Sequence, residues 1–375
     1  MPDFDELIPE HIRALGRYAP GKPIRQAERE SGVRCVKMAS NENPFGPSPR
    51  AVEAIRAAVS QANFYPDNDC TELRRALAER HGIQPEQLLV GDGSTALLDV
   101  IARTLLAPGL NAVTSERTFI VYPIVTQAAG GRLIEVPMRE HAFDLDAILA
   151  AINPDTRIVY LANPNNPTGT MFDAAATDRF LDRVPQHVLV VLDEAYCDFA
   201  AHFTAAGGIT YSHSLYYVRQ GRRVIVLRTF SKAHGLSGLR VGYGFGPSAL
   251  LQALGRVRPA FSVSGVAEAG ALAALEDTAH VQKAVENNAA EAPRLAKELS
   301  ELGLHPVPTC ANFLYFDVGE ESGAFARRVQ AEGIIVRALG PWGAPNAIRV
   351  TVGTPEQNRM FLAALKKVLQ RAPVR

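Results

Sequence analysis

The segment RTFSKAHGLSGLR occupies residues 228–240, between a strand-like run at 223–228 and a glycine-rich strand-like run at 241–246. Within it, Lys232 lies among small and hydroxylated residues and is the only lysine between Lys37 and Lys283. Burial and nearby cations disfavour the ammonium form, so a lysine in such a setting loses its proton more easily than a surface lysine. A neutral amine is the nucleophile that forms a Schiff base with an aldehyde or carbonyl group. The segment therefore predicts a covalent site at Lys232.

Phosphate-binding groups flank this lysine. Ser231 offers a hydroxyl donor and Arg240 a planar cationic fork, and both are good phosphate partners. A second anion site is predicted where a short strand runs into the turn GDGST and then a helix, because Gly93, Ser94 and Thr95 would offer free backbone N–H groups at the helix start. A lysine nucleophile beside phosphate-binding groups suits pyridoxal phosphate. An exposed loop lysine and a plain strand-to-helix turn are the alternative interpretations.

Two further polar segments follow apolar, strand-like runs. NPNNPTG at 163–169 could project the Asn166 amide at a ligand, although short Pro/Asn loops are usually only turns. DEAY begins at Asp193, directly after the apolar run 188–192. A carboxylate at the end of a buried strand is costly unless it is paired. A protonated pyridine nitrogen would pair with Asp193 and keep the ring an electron sink; a helix cap or an arginine partner is the alternative.

The alternation of strands and helices predicts the fold. Strand-like runs occur at 112–115, 133–136, 158–162, 188–192, 224–227 and 241–245, and helix-compatible runs at 120–129, 144–151 and 174–183. This order indicates a three-layer α/β domain with a mostly parallel, mixed sheet. Its ligand site is expected beyond the carboxyl ends of the strands, where the three polar segments lie.

The chain divides into three parts on the same evidence. Residues 1–45 are expected to form an irregular N-terminal arm, because proline and glycine are frequent there. Residues 46–275 are expected to form the large α/β domain. Residues 276–375 are expected to begin with a long helix and to form a smaller α+β domain, with strands near 313–317, 334–336 and 347–352.

Composition excludes several classes of protein. The 375 residues are 47% hydrophobic and 21% charged with zero formal net charge, which implies neither a nucleic acid nor a membrane surface as partner. The four cysteines are widely spaced, which fits reduced thiols and predicts no metal site. The acidic first residues lack the apolar core of a signal peptide, so a cytoplasmic location is expected.

Taken together, the motifs NPNNPTG, DEAY, SK and GLR resemble those of the fold-type-I aminotransferases, and within them the histidinol-phosphate aminotransferase family. The resemblance extends over nearly the whole chain and includes the spacing between the motifs. It implies a pyridoxal 5'-phosphate-dependent aminotransferase.

The resemblance also implies roles around the cofactor. Lys232 would bond covalently to the cofactor and move the proton, Asp193 would pair with the pyridine nitrogen, and Tyr196 would contact the phenolic oxygen. The remaining cofactor-binding residues implied are Asn166 at the phenolic oxygen, Phe119 against the ring, and Gly93, Ser94, Thr95, Thr229, Ser231 and Arg240 at the phosphate. Tyr65 resembles the tyrosine that reaches the phosphate of a partner subunit, which implies a homodimer with shared active sites. The resemblance also implies that the N-terminal arm, residues 1–45, packs with the small domain and the partner subunit.

Substrate residues follow from the same resemblance. Arg349 resembles the arginine that binds the substrate's anionic group, and Arg337 is a second anion ligand. Tyr18 and Asn43 are further substrate-side residues. The implied reaction is transamination of histidinol phosphate, with 2-oxoglutarate and glutamate as acceptor and donor partners.

Other functions are also compatible with the sequence. An aromatic amino-acid aminotransferase on the same scaffold is the main alternative, because phenylalanine and tyrosine also present a ring and an anion. A pyridoxal-phosphate lyase or decarboxylase, and a catalytically silent relative, are further alternatives.

Overall fold

The computed structural model describes residues 4–16 and 20–370. The strands are β1 Val36–Lys37, β2 Leu88–Gly91, β3 Asn111–Ser115, β4 Arg132–Val136, β5 Thr156–Ala162, β6 Leu189–Asp193, β7 Val224–Thr229, β8 Gly242–Phe245, β9 Phe313–Asp317, β10 Ile334–Ile335, β11 Arg337–Ala338 and β12 Ala347–Thr351. The helices are α1 Glu10–Arg13, α2 Ile24–Ser31, α3 Pro49–Ala58, α4 Thr71–His81, α5 Ser94–Leu105, α6 Val121–Ala128, α7 Leu145–Ala151, α8 Ala174–Leu181, α9 Cys197–Ala206, α10 Ser214–Arg219, α11 Ser248–Gly255, α12 Gly265–Glu276, α13 Thr278–Glu301, α14 Ser322–Ala331 and α15 Pro355–Gln370. Among these described helices, none has the length and apolar character needed to cross a bilayer.

A seven-stranded sheet forms the centre of the large unit, in the order β2-β8-β7-β6-β5-β3-β4. Strand β8 is antiparallel to both neighbours, and the pairs from β7 to β4 are parallel. Apolar residues pack on both faces of the sheet in two separate cores. Double-sided burial explains why strands such as β6 read as continuous apolar runs. The predicted fold, with a mostly parallel mixed sheet between helices, is confirmed.

The carboxyl-terminal part contains a smaller sheet. Its order is β11-β12-β9, and both pairs are antiparallel. A third core packs this sheet against α13, α14 and α15 and includes Met38 from the N-terminal segment. The smaller α+β unit is thereby confirmed, whereas the boundaries at residues 45 and 275 stay predictions.

The N-terminal segment is more regular than expected. Helix α2 forms after Pro23, and Gly32 ends it in a left-handed conformation with φ of 73°. The stretch between these residues has neither proline nor glycine, so one short helix fits where a long one does not. Strand β1 pairs in parallel with β10, which lies some 300 residues further along the chain; no local pattern reveals such a pairing.

Candidate active site

A cavity of about 230 Å³ opens beyond the carboxyl ends of β5, β6 and β7. The N-terminus of α5 and the segment 40–42 complete its wall. Its lining residues include Ser40, Glu42, Ser94, Thr95, Phe119, Asn166, Asp193, Tyr196, Thr229, Ser231, Lys232, Ser237 and Arg240. Ten of the residues predicted from the sequence are therefore brought together in one cavity.

Lys232 projects into this cavity from the loop that follows β7. Its Nζ donates a hydrogen bond to the Ser40 carbonyl at 3.1 Å and lies 5.6 Å from the centre of the Tyr196 ring. Burial, followed by the charge of Arg349, lowers the pKa of Lys232 to about 8. The neutral, nucleophilic amine is thus accessible near neutral pH.

Asp193 ends β6 and is buried. The Tyr122 hydroxyl donates to its Oδ2 at 3.0 Å, and the Ala195 N–H donates to its Oδ1 at 3.3 Å. Burial raises the pKa of Asp193 to about 6. A cationic partner in the cavity would stabilise the ionised form of this buried carboxyl group.

The neighbouring buried carboxylate already has such a partner. Glu194 pairs with Arg228 at 2.7 Å and also accepts a hydrogen bond from Ser212. Among the described residues, Arg228 therefore pairs with Glu194 and not with Asp193. This pairing argues against the interpretation in which an arginine is the partner of Asp193.

Hydroxyl, backbone and guanidinium groups meet in one part of the cavity lining. Arg240 Nη1 donates to Ser231 Oγ at 3.4 Å, and the Ser231 N–H donates to Thr229 Oγ1 at 3.1 Å. Ser94 and Thr95 form the first turn of α5, whose N–H groups and dipole favour an anion.

Two glycines allow the backbone and Arg240 to pack closely in this part of the site. A Cβ on Gly242 would lie 2.4 Å from the Ser94 nitrogen, and one on Gly93 would lie 2.5 Å from Arg240 Nη2. Gly93 also has φ of 98°, a conformation that L side chains rarely adopt. The close approach of β8, α5 and Arg240 requires both glycines.

Arg349 connects the small sheet to the cavity. It is 5% exposed, donates to Asn166 Oδ1, and donates to the Ala39 carbonyl at 2.8 Å. Its guanidinium also lies 5.2 Å from the centre of the Phe313 ring. An arginine at this position can bind an anion that enters the cavity next to Asn166.

The remaining predicted residues lie elsewhere. Asn43 is buried and donates to the Ala233 carbonyl at 2.8 Å, away from the cavity lining. Arg337 lies over the Trp342 ring at 4.5 Å, in register with Arg349 on the paired strand.

Tyr65 is 84% exposed and packs on Phe261. Tyr18 lies outside the described residues.

Sequence reasoning missed three residues of the site. Tyr122 follows Phe119 by three positions and resembles a core residue of α6, and it packs parallel to Tyr160 with ring centres 4.7 Å apart. Glu42 lines the cavity and pairs with Lys37 at 2.5 Å. Asn41 donates to the Tyr196 hydroxyl at 2.8 Å. The NEN motif at 41–43 pointed to this region, but only the folded backbone shows which asparagine faces Tyr196.

The donor set fits pyridoxal phosphate. The cavity lining combines an anion cradle, the buried carboxyl group of Asp193, the Lys232 amine with its lowered pKa, and an aromatic side chain, Phe119. No cluster of three or more metal-binding side chains is found within residues 4–16 and 20–370.

Comparisons with known proteins agree with this geometry. The family model described as aminotransferase class I and II matches residues 33–365. A histidinol-phosphate aminotransferase of Moorella thermoacetica is 46% identical over 364 residues, covering 96% of this chain and 92% of the relative. Histidinol-phosphate aminotransferase 2 of Pseudomonas aeruginosa is 45% identical, covering 98% of this chain and 99% of the relative.

Solved structures show the same architecture. Histidinol-phosphate aminotransferase from Sinorhizobium meliloti, solved in complex with pyridoxal-5'-phosphate, aligns with a TM-score of 0.87 and 30% identity over 97% of each chain. An aspartate aminotransferase of Thermus thermophilus aligns with a TM-score of 0.80 at 24% identity, covering 96% of this chain and 99% of that one, and supports the fold alone.

Proposed function

This chain belongs to the class I and II aminotransferase family, and on that premise we propose that it transfers the amino group of histidinol phosphate to 2-oxoglutarate, as a step of histidine biosynthesis. The observation that carries the substrate assignment is similarity over almost the full length to relatives named for this activity. The cofactor of the reaction is pyridoxal 5'-phosphate.

The cavity supports this assignment. Arg349 lies at its edge and can bind the substrate phosphate, with Arg337 on the paired strand as a second cation. Phe119 lines the cavity and offers an apolar surface to aromatic rings. An aromatic amino acid also carries a ring and an anion, but the relatives compared favour histidinol phosphate.

We propose that the cofactor-binding roles follow the layout of the cavity. Ser94, Thr95, Thr229, Ser231 and Arg240 would hold the phosphate, and Gly93 and Gly242 allow the surrounding groups to pack closely enough to form this site. Asp193 would pair with the ring nitrogen, Phe119 would pack against the ring, and Asn166 and Tyr196 would contact the phenolic oxygen. When bound, pyridoxal phosphate supplies an electron sink for the substrate Cα. Lys232 would accept and return the proton at that carbon, since its lowered pKa makes the amine available as a base.

We further propose a cytosolic homodimer with shared active sites. Tyr65, exposed next to Phe261, would reach the cofactor phosphate of the partner, and Tyr18 and Asn43 would belong to the substrate side. Residues 46–275 and 276–375 would act as large and small domains.

A half-reaction tests the substrate proposal. Purified protein carrying pyridoxal phosphate is mixed separately with histidinol phosphate, phenylalanine and glutamate, and the loss of the cofactor's visible absorbance is followed. Fast bleaching by histidinol phosphate and glutamate, but not by phenylalanine, is expected. A preference for phenylalanine would assign the chain to aromatic substrates, and no bleaching by any of the three would contradict both assignments.

A further inference from the structure

Asn41 is held in an unusual backbone conformation next to the cavity. Its φ is 59°, in the left-handed region that asparagine and glycine tolerate better than other residues. It is 1% exposed, and its own carbonyl accepts a hydrogen bond from Asn312 at 3.1 Å. Backbone strain of this kind persists only where the surroundings fix the residue, and it concentrates at functional sites.

Thr351 fixes the orientation of the Asn41 side chain. The Asn41 N–H donates to Thr351 Oγ1 at 2.9 Å, and the Thr351 hydroxyl donates back to Asn41 Oδ1 at 3.2 Å. With its Oδ1 occupied in this way, Asn41 turns its NH₂ group towards Tyr196. The opposite orientation would leave the buried Thr351 hydroxyl proton without an acceptor among the described contacts, which is costly.

The Asn41 NH₂ group lies 2.8 Å from the Tyr196 hydroxyl oxygen. An amide NH₂ group can only donate, so the Tyr196 oxygen accepts this bond and its own proton must point to another acceptor. Among the described residues, Asn41 is the hydrogen-bond partner found for this oxygen. Tyr196 lines the cavity, which is where its proton is left to point.

We infer that Asn41 is a positioning residue: by donating to the Tyr196 oxygen, it directs the Tyr196 proton into the cavity, towards an acceptor on the bound cofactor. The inference rests on the proposed function and adds to it a residue that contacts Tyr196 rather than the reacting atoms. Because Thr351 ends β12, the small sheet thereby sets the direction of a proton in the cofactor cavity.

The test is an Asn41→Asp substitution, which replaces the donating group with an acceptor of the same shape. Tyr196 then donates to residue 41 and no longer to the cofactor. A phenol that donates to the cofactor's phenolic oxygen stabilises the deprotonated, more negative form of the bound cofactor. Loss of this hydrogen bond therefore favours the protonated form. The pH midpoint of the cofactor's visible absorbance change is therefore expected to rise by about 0.5 unit or more.

A second substitution guards against misfolding. Glycine adopts the same positive φ without strain, so Asn41→Gly keeps the backbone while it removes the donor. Its midpoint is expected to shift in the same direction by a smaller amount. Asn288→Asp is the matched control, because Asn288 is also buried and, among the described contacts, donates to the Ala311 carbonyl at 3.1 Å and not to Tyr196; its midpoint should equal that of the unmodified protein.

The same substitution in a Tyr196→Phe background distinguishes an effect through the Tyr196 hydrogen bond from a direct effect of the new charge. The charged groups that face Tyr196 are Lys232, Arg349 and Asp193, and a new carboxylate could act on them directly. If Asn41 acts through Tyr196, Asn41→Asp adds no further shift in Tyr196→Phe. An equal shift in both backgrounds, or an unchanged midpoint in both Asn41 variants, would overturn the inference while cofactor binding and the proposed function stand. Failure of the unmodified protein to bind pyridoxal phosphate would overturn both.

Discussion

Two ionisable side chains in the cavity are perturbed in opposite directions by the same burial. Burial lowers the pKa of Lys232 to about 8, because the charged form of an amine is the protonated one. It raises the pKa of Asp193 to about 6, because the charged form of a carboxyl group is the deprotonated one. Both shifts bring the titration of these groups closer to neutral pH, where general acid–base chemistry operates.

We expect Lys232→Arg to abolish transamination. Arginine keeps the positive charge but cannot deprotonate, so it cannot act as nucleophile or base. The half-reaction rate should fall by about 10³-fold or more, and mass spectrometry after borohydride reduction should find no cofactor bonded to the chain. Lys283→Arg is the control, since that amine packs on Phe45 instead. A rate for Lys232→Arg within tenfold of the unmodified protein would contradict the assigned role.

Asp193 gives a pH-dependent prediction for the cofactor-free protein. The pKa of Asp193 rises from 3.8, its ordinary value, to about 6 in the folded protein. The unfolded state therefore releases the proton at lower pH, and the free energy of unfolding falls as pH rises through this interval. Asp193→Asn removes this loss. Its stabilising effect should be about 3 kcal/mol at pH 8 and about half of that at pH 5.

Urea unfolding at the two pH values, after removal of the cofactor, measures this difference. Asp146→Asn is the control, because that side chain is 80% exposed. With pyridoxal phosphate bound, the order should reverse, because Asp193→Asn loses the partner of the ring nitrogen and binds the cofactor more weakly. A pH-independent difference between Asp193→Asn and the unmodified protein would argue against the burial of an ionisable carboxyl group here.

At the scale of elements, the phosphate cradle depends on how closely β8 approaches the first turn of α5. Gly242 pairs with Gly91 on one side and Thr229 on the other, which fixes the strand against the sheet. A side chain at position 242 would therefore displace the Ser94 nitrogen, and that atom can move only if the start of α5 moves with it.

Gly242→Ala is expected to weaken cofactor binding by about tenfold or more and to cost about 1–3 kcal/mol of folding stability. The added Cβ would meet backbone at 2.4 Å rather than a flexible side chain. Gly238→Ala is the matched control in the neighbouring loop, because its Cβ would meet nothing within 4 Å. Equilibrium dialysis and thermal unfolding of both variants measure the two effects, and equal cofactor affinities would show that the cradle tolerates the extra atom.

At the scale of the whole molecule, an apolar surface surrounds Tyr65. Phe64 is 71% exposed and Phe261 46%, and both lie beside Tyr65 along a surface cavity. Exposed aromatic residues grouped in this way are typical of an interface. The proposed homodimer would bury them and place Tyr65 in the neighbouring active site.

Heterodimers test whether the sites are shared. Tyr65→Ala and Lys232→Arg chains carrying different tags are coexpressed, and the mixed dimer is purified on both tags. If Tyr65 acts across the interface, one site pairs an intact Lys232 with an intact Tyr65, so the mixed dimer should regain about half of the unmodified activity. Activity no higher than that of the two parent homodimers would place Tyr65 in its own subunit's site. Tyr216→Ala, at another exposed tyrosine, should leave the activity unchanged.

The sequence alone predicts the alternation of strands and helices in the large unit and the polar side chains that follow its strands. Both depend on local patterns: apolar strands such as β6 are recognisable alone, and DEAY and SK place their side chains at the ends of those strands. The six strand runs predicted between residues 112 and 245 all form, with ends displaced by two residues at most.

Which distant side chains meet depends on the three-dimensional path of the chain. The bond from Tyr122 to Asp193, the pairing of Arg228 with Glu194 and the contact of Asn41 with Tyr196 join residues far apart in the chain. Asn41 and Asn43 belong to one short motif, yet one amide faces Tyr196 and the other the Ala233 carbonyl. The physical reason is that hydrogen bonding depends on distances of a few ångströms and on orientation, which the path of the backbone fixes and residue types alone do not.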